Sequence, residues 1–127
     1  HLVEPVEKNA NICKSIRKNS TVHHGALVPK DYAEKYITGP FDDKVINREG
    51  RDLMTGLSNK SKALNSEFIK KVPALKMSDI LNSIENPERI GFLSLDIEGG
   101  EDLILKEIDF DIFKPRIIMV EVRPETK

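Results

Sequence analysis

Two dense apolar runs in the last third of the chain constrain its fold more than any other feature. Residues 90–97 form the first, interrupted only by small residues before it ends in carboxylates, and residues 117–122 form the second. Such runs are typical of buried parallel strands, because helices cover both faces of the sheet. Between them, Gly99-Gly100 predicts a tight turn, and residues 101–110 predict an amphipathic helix. This strand–helix–strand order predicts an α/β domain with a parallel sheet.

The first quarter of the chain shows the same order of elements. Leu2-Val3 predicts the end of a strand, and Pro5 suits the first turn of a helix. Residues 6–19 carry apolar side chains at helical spacing. Residues 21–28 predict the next strand, which Pro29 ends.

The middle of the chain has a weaker pattern. We expect an irregular excursion at about residues 39–66, either a long loop or a pair of short edge strands at 44–48 and 67–72. Ser78 is predicted to be the N-cap of a short helix that follows.

Length and composition exclude several classes of protein. A chain of 127 residues predicts one domain spanning residues 1–127. The net charge of −1 gives no general attraction to nucleic acid or anionic membranes. No apolar stretch is long enough for a transmembrane helix. A single cysteine, Cys13, excludes an internal disulfide and favours a reducing, cytoplasmic location. Because the chain starts at His1, as if within a strand, we expect an excerpt of a longer protein.

Carboxylates at the ends of the predicted strands are the main functional clue. They are Glu4, Asp96 with Glu98 shortly after it, and Glu121. Ligands of parallel sheets bind at this edge. Asp96 and Glu98 alternate onto the same side, where they suit a cationic ligand, a metal or a substrate proton. The alternative for Glu4 is a solvated acid, and for Glu101 an ordinary interaction with the helix dipole.

Other polar residues give weaker indications. His23 and His24 must face opposite sides of their strand, and no third histidine or cysteine stands at ligand spacing, so we predict no metal site. Tyr32 and Tyr36 fit either a substrate rim or a short amphipathic helix.

Taken together, these motifs resemble the FkbM-type methyltransferases. The most specific match is residues 92–101, Phe-Leu-Ser-Leu-Asp-Ile-Glu-Gly-Gly-Glu, followed by the strand at 115–121. Residues 2–5, the strand ending in 25–27 and the segment 75–81 also resemble the family. The resemblance implies an α/β fold with a Rossmann-like methyltransferase sheet, mostly parallel, three-layered and incomplete at both ends.

The resemblance also implies a cofactor and its contacts. The expected function is methyl transfer from S-adenosylmethionine, usually O-methylation of a hydroxyl on a small molecule, sugar or lipid. Glu4 would accept the ribose hydroxyls, and Ala26 and Leu27 would lie near the adenine. Asp96 would lie near the cationic sulfonium, where a negative charge is favourable.

The acceptor side is implied in the same way. Asp96 or Glu98 would orient or deprotonate the acceptor hydroxyl. Glu101 and Glu121 are assigned to substrate contacts.

The sequence departs from the family in one respect that matters. The family's first strand and glycine-rich turn have no counterpart, since none of the seven glycines forms Gly-x-Gly. We therefore expect either a gap or a direct pairing between the strand of Leu2-Val3 and the strand at 93–96, and weak cofactor binding by this chain alone. Two alternatives stay open: a non-catalytic interaction module of the same fold, and a nucleotide-sugar transferase whose metal is held by Asp96 and Glu98.

Overall fold

The computed structural model describes residues 1–43, 66–97 and 99–122. Its strands and helices, in chain order, are β1 (Leu2–Glu4), α1 (Glu7–Ile16), β2 (Val22–His24), β3 (Ala26–Val28), β4 (Tyr36–Gly39), β5 (Lys70–Lys76), α2 (Met77–Asn82), β6 (Phe92–Leu95), α3 (Glu101–Leu105) and β7 (Ile117–Val120). Short 3-10 turns lie at Ser66–Phe68 and Pro87–Arg89.

The described strands form three small sheets. β1 pairs with β2, and β6 pairs with β7, both in parallel. In the third sheet β5 lies between β3, which is parallel to it, and β4, which is antiparallel. The α/β class predicted from the sequence is therefore confirmed, with sheets that are small and mixed.

The strand predicted at residues 21–28 is two strands that belong to different sheets. His24 lies opposite Glu4 in the first sheet, whereas Ala26 lies opposite Ala74 in the third. The chain crosses between the sheets at Gly25. A Cβ atom there would lie 2.6 Å from the carbonyl oxygen of Pro73. Only glycine lets the backbone pass this close to β5.

The predicted helices are present but shorter. The helix expected at 6–19 spans Glu7–Ile16, and the one expected at 101–110 ends at Leu105. Ser78 is not an N-cap, because β5 continues to Lys76 and the helix begins at the next residue.

Two interpretations of the middle segment are wrong. Tyr32 and Tyr36 do not share a helix, because Tyr36 begins β4. The hydroxyl of Tyr32 donates to the carbonyl oxygen of Tyr36 at 3.1 Å. The edge strand expected at 67–72 is a 3-10 turn followed by β5, which is central in its sheet. Residues 44–48, the other expected edge strand, lie outside the described residues.

Two apolar clusters hold these elements together. The first joins β6 to α2 and α3 and contains Met77, Leu81, Leu95, Ile104, Ile108 and Phe113. The second lies against the three-stranded sheet and contains Val28, Ile37, Phe41 and Val72. Leu95 and Ile104 are the most deeply buried members of the first cluster, at 2% and 1% exposure. Their burial anchors both ends of the β6–α3 connection.

One face of the β6–β7 sheet is apolar and exposed. Phe92 lies opposite Ile117 in the register, and Met119 follows on the same face. These side chains are 55%, 62% and 55% exposed. The sequence predicted strands covered on both faces. Within the described part of the chain, the first apolar cluster covers one face of this sheet, and the face that carries Phe92, Ile117 and Met119 is exposed.

No ladder joins β1 to β6 among the described residues. Of the two arrangements expected for these strands, direct pairing is therefore absent from the described residues, and the gap stays a prediction. None of the helices in the described ranges is long and apolar enough to cross a membrane.

Candidate functional site at the carboxyl ends of the parallel strands

Asp96 and Glu121 follow paired positions at the carboxyl end of the β6–β7 sheet. Leu95 and Val120 are register partners, and the amide of Glu121 donates to the carbonyl oxygen of Leu95 at 3.0 Å. Since neighbouring strands lie about 4.8 Å apart, the two acidic residues are side by side. Asp96 is exposed, and its carboxylate makes no hydrogen bond or ion pair with the described residues. This acid is open to a ligand from solvent.

A glycine turn connects this strand end to α3. Gly99 has a φ of 124° and Gly100 a φ of 93°, which are backbone conformations that side-chain-bearing residues rarely adopt. The carbonyl oxygen of Gly100 accepts from the amides of Leu103 at 3.0 Å and Ile104 at 3.2 Å, and so begins the helix. The predicted turn is confirmed, and it bends the chain back directly after Asp96.

The two acids in the first turn of α3 do different things. Glu101 is only 8% exposed, and its Oε1 accepts from the amides of Ile97 and Gly99, both at 3.0 Å. Asp102 is exposed and accepts from Lys106 Nζ at 3.1 Å. The hydrogen bond from Lys106 holds the pKa of Asp102 below its ordinary value. The substrate role predicted for Glu101 stays a prediction, while its carboxylate is already bonded to the turn.

Glu4 ends β1 in a half-buried position. Its Oε1 accepts from the amide of Val6 at 2.8 Å, and its carbonyl oxygen accepts from the amide of Gly25 at 3.1 Å. The side chain therefore tightens the turn into α1. An ionised carboxylate has about four acceptor positions, so this bond leaves capacity for ligand hydroxyls.

The residues predicted near the adenine lie on β3 and are half-buried. Leu27 packs against the first apolar cluster, which also contains Leu95, the residue before Asp96. Ala26 packs against the second cluster. β3 is also tied to the segment after α3, because the amide of Lys30 donates to Glu107 Oε1 at 2.8 Å.

The structure thus brings some predicted site residues together and leaves others apart. Asp96, Glu101 and Glu121 lie at one strand end. Glu4 lies at the end of a different sheet, and Glu98 lies outside the described residues. Burial of Glu101 was missed. A signal was available, because backbone amides between a strand end and a Gly-Gly turn need acceptors outside the ladder, and the first acid after the turn can supply one.

The histidines show an arrangement that the spacing alone did not predict. The rings of His1 and His23 stack with centroids 5.3 Å apart, and His1 Nδ1 lies 3.0 Å from His23 Nε2. His24 Nε2 lies 3.2 Å from the carbonyl oxygen of Pro5. Across the described ranges, no group of three or more potential ligand side chains is placed to hold a metal ion.

A groove along the outer side of α1 lies away from these acids. Its volume is about 580 Å³, and it is lined by Glu7, Lys8, Asn11, Ile12 and Ser15. None of the predicted site residues lines it, so the strand ends remain the candidate site.

Comparison with known families identifies the class of protein. The model of the methyltransferase FkbM domain matches residues 1–126, nearly the whole chain. The chain belongs to the FkbM methyltransferase family, which confirms the resemblance and supports a methyltransferase in general. No curated protein and no solved structure matches the chain.

Proposed function

We propose that this chain contributes the donor and acceptor contacts of an S-adenosylmethionine-dependent O-methyltransferase with a Rossmann-like sheet. The acceptor is a hydroxyl on a small molecule, a sugar or a lipid. The observation that carries the proposal is the exposed carboxylate of Asp96 at the carboxyl end of β6, in a chain of this methyltransferase family. Ligands of parallel sheets bind at that edge.

The side chains at the strand ends fit such a cofactor in their chemistry. A sulfonium cation is favoured beside a carboxylate, and Asp96 offers one that makes no bond to the described residues. A ribose diol needs acceptors, and Glu4 keeps acceptor capacity beyond its bond to Val6. Ala26 and Leu27 offer half-buried apolar surface for a base. When bound, S-adenosylmethionine supplies an electrophilic methyl group.

Acidic side chains also serve the acceptor hydroxyl in this proposal. Asp96 or Glu98 orients this hydroxyl and takes its proton. Glu121, which follows Val120 at the end of β7 as Asp96 follows Leu95 at the end of β6, contacts the acceptor. Because methyl transfer is an in-line displacement, correct placement of the hydroxyl matters as much as proton removal.

Calorimetric titration of the complete natural protein with S-adenosylmethionine tests the proposal. Asp96→Asn removes the charge and keeps the shape, and we expect about tenfold weaker binding, equivalent to about 1.4 kcal/mol. Asp102→Asn is the matched control, since it removes another exposed acid a few residues away. Its dissociation constant should stay within about twofold of the wild type.

The result also separates the alternatives. If the wild type does not bind the cofactor, the methyltransferase proposal fails and the non-catalytic interaction module replaces it. If binding of a nucleotide sugar requires Mg²⁺ or Mn²⁺ and is abolished by Asp96→Ala, the chain is a metal-dependent transferase. We expect the 127-residue chain to bind S-adenosylmethionine weakly, because none of its seven glycines forms Gly-x-Gly.

A further inference from the structure

We infer that Glu101 is a positioning residue: its buried carboxylate holds the turn that presents Asp96. This role rests on the proposed function of Asp96 and differs from the substrate contact predicted for Glu101. The bonds that define it can be measured without cofactor or substrate.

The first observation is the pairing of one oxygen with two amides. Oε1 of Glu101 accepts from Ile97 N and from Gly99 N, each at 3.0 Å. These donors are two residues apart and bracket position 98. A single acceptor atom therefore ties the backbone at Ile97 and at Gly99 to α3.

The second observation is where the sheet stops. The last bond of the β6–β7 ladder described by the structure runs from the amide of Glu121 to the carbonyl oxygen of Leu95. Beyond Leu95, the backbone amides need other acceptors. Glu101 supplies one for Ile97 and Gly99, in place of a neighbouring strand.

The third observation is burial. Glu101 is 8% exposed, and Ile104, one helical turn further along α3, is 1% exposed within the first apolar cluster. The helix that carries the carboxylate is thereby anchored to the core. Because movement of Glu101 is restricted, its hydrogen bonds also restrict movement of the backbone at Ile97 and Gly99.

Two conservative variants distinguish this role from a requirement for charge. Glu101→Gln keeps an oxygen at the same reach and loses the charge. Glu101→Asp keeps the charge and shortens the side chain by one methylene group. If the acceptor position matters, Gln substitutes for Glu and Asp does not; if the charge matters, the order is reversed. Asp102→Ala is the control for loss of an acid in the same helical turn.

Amide hydrogen exchange of the complete natural protein, without added ligand, gives the first readout. In Glu101→Asp, exchange at Ile97 and Gly99 should accelerate about tenfold, because the turn opens locally. In Glu101→Gln it should change less than about threefold, because the amide oxygen replaces the carboxylate oxygen. Asp102→Ala should leave both amides unchanged. Equal exchange rates in the wild type and Glu101→Asp, or faster exchange in Gln than in Asp, would overturn the inference.

Titration with S-adenosylmethionine gives the second readout. Glu101→Asp should weaken binding about tenfold through loss of preorganisation, with Glu101→Gln within about threefold of the wild type. Faster amide exchange in Glu101→Asp without any change in the affinity for S-adenosylmethionine would overturn the positioning role and leave the proposed function standing. No binding by the wild type would refute the proposed function, and with it the role toward Asp96. The exchange rates would still decide whether Glu101 holds the turn.

Discussion

Replacement of Gly25 by alanine tests the crossing between the two sheets directly. The new Cβ would lie 2.6 Å from the carbonyl oxygen of Pro73, 2.7 Å from Leu75 Cγ and 2.8 Å from Leu75 Cδ1. All three distances are shorter than van der Waals contact allows. The side chain of Leu75 can rotate, but the carbonyl of Pro73 belongs to the central strand β5 and cannot move independently.

The expected cost follows from these contacts. Overpacking of a well-packed site costs about 1–3 kcal/mol. The φ of 156° at Gly25 lies just inside the region that disfavours a side chain, so the cost should reach the upper part of that range. We therefore expect Gly25→Ala to lower the free energy of unfolding by about 3 kcal/mol.

Gly91→Ala provides the matched control. Among the described residues, apart from Gly91 and its two chain neighbours, no atom lies within 4 Å of a Cβ added at Gly91. The free energy of unfolding should therefore change by less than about 0.5 kcal/mol. Urea unfolding monitored by circular dichroism measures both variants, with the slope m checked for constancy. If the two variants unfold at the same urea concentration, the close approach of Gly25 to β5 is wrong.

Two further predictions concern the core and the electrostatics of α3. Leu95→Ala should lower the free energy of unfolding by about 3–5 kcal/mol, measured by urea unfolding, because it empties a side-chain volume that is 2% exposed. A loss below about 1 kcal/mol would contradict the burial of Leu95. In an NMR titration, the carboxyl of Asp102 should titrate below its ordinary pKa, and Lys106→Met should return it toward that value, because the Lys106 hydrogen bond is the main cause of the shift. Because the pKa of Asp102 is lower in the folded state than in the unfolded state, the Asp102–Lys106 pair stabilises the fold above the unfolded-state pKa. This contribution is lost as the pH falls through the folded-state pKa. An unchanged Asp102 pKa in Lys106→Met would refute that cause.

Much of the C-terminal half was predictable from local pattern. The apolar runs at 90–97 and 117–122 became β6 and β7, and Gly99-Gly100 became the turn with positive φ. Runs of apolar residues report burial, and paired glycines report an unusual backbone, so neither inference needs knowledge of distant residues. The carboxylates at the ends of these strands were also predictable, because they directly follow the apolar runs in the sequence.

Other features depended on contacts between residues far apart in sequence. Residues 21–28 form a continuous strand pattern, yet the chain changes sheets at Gly25. The part before Gly25 pairs with β1, and the part after it pairs with β5. Tyr32 and Tyr36 have helical spacing, but pairing of β4 with β5 overrides it. Local propensity is a weak preference that tertiary pairing outweighs.

Glu101 shows most clearly what the sequence determines and what only the tertiary structure decides. Its place after two glycines, at the start of a helix, follows from the order of residues. Its burial and its bonds to Ile97 and Gly99 arise only when α3 packs against the core and turns the carboxylate toward the strand end. The sequence specifies which acids stand near the strand ends; packing decides which of them faces solvent and which holds the turn, because burial depends on the surroundings that folding assembles.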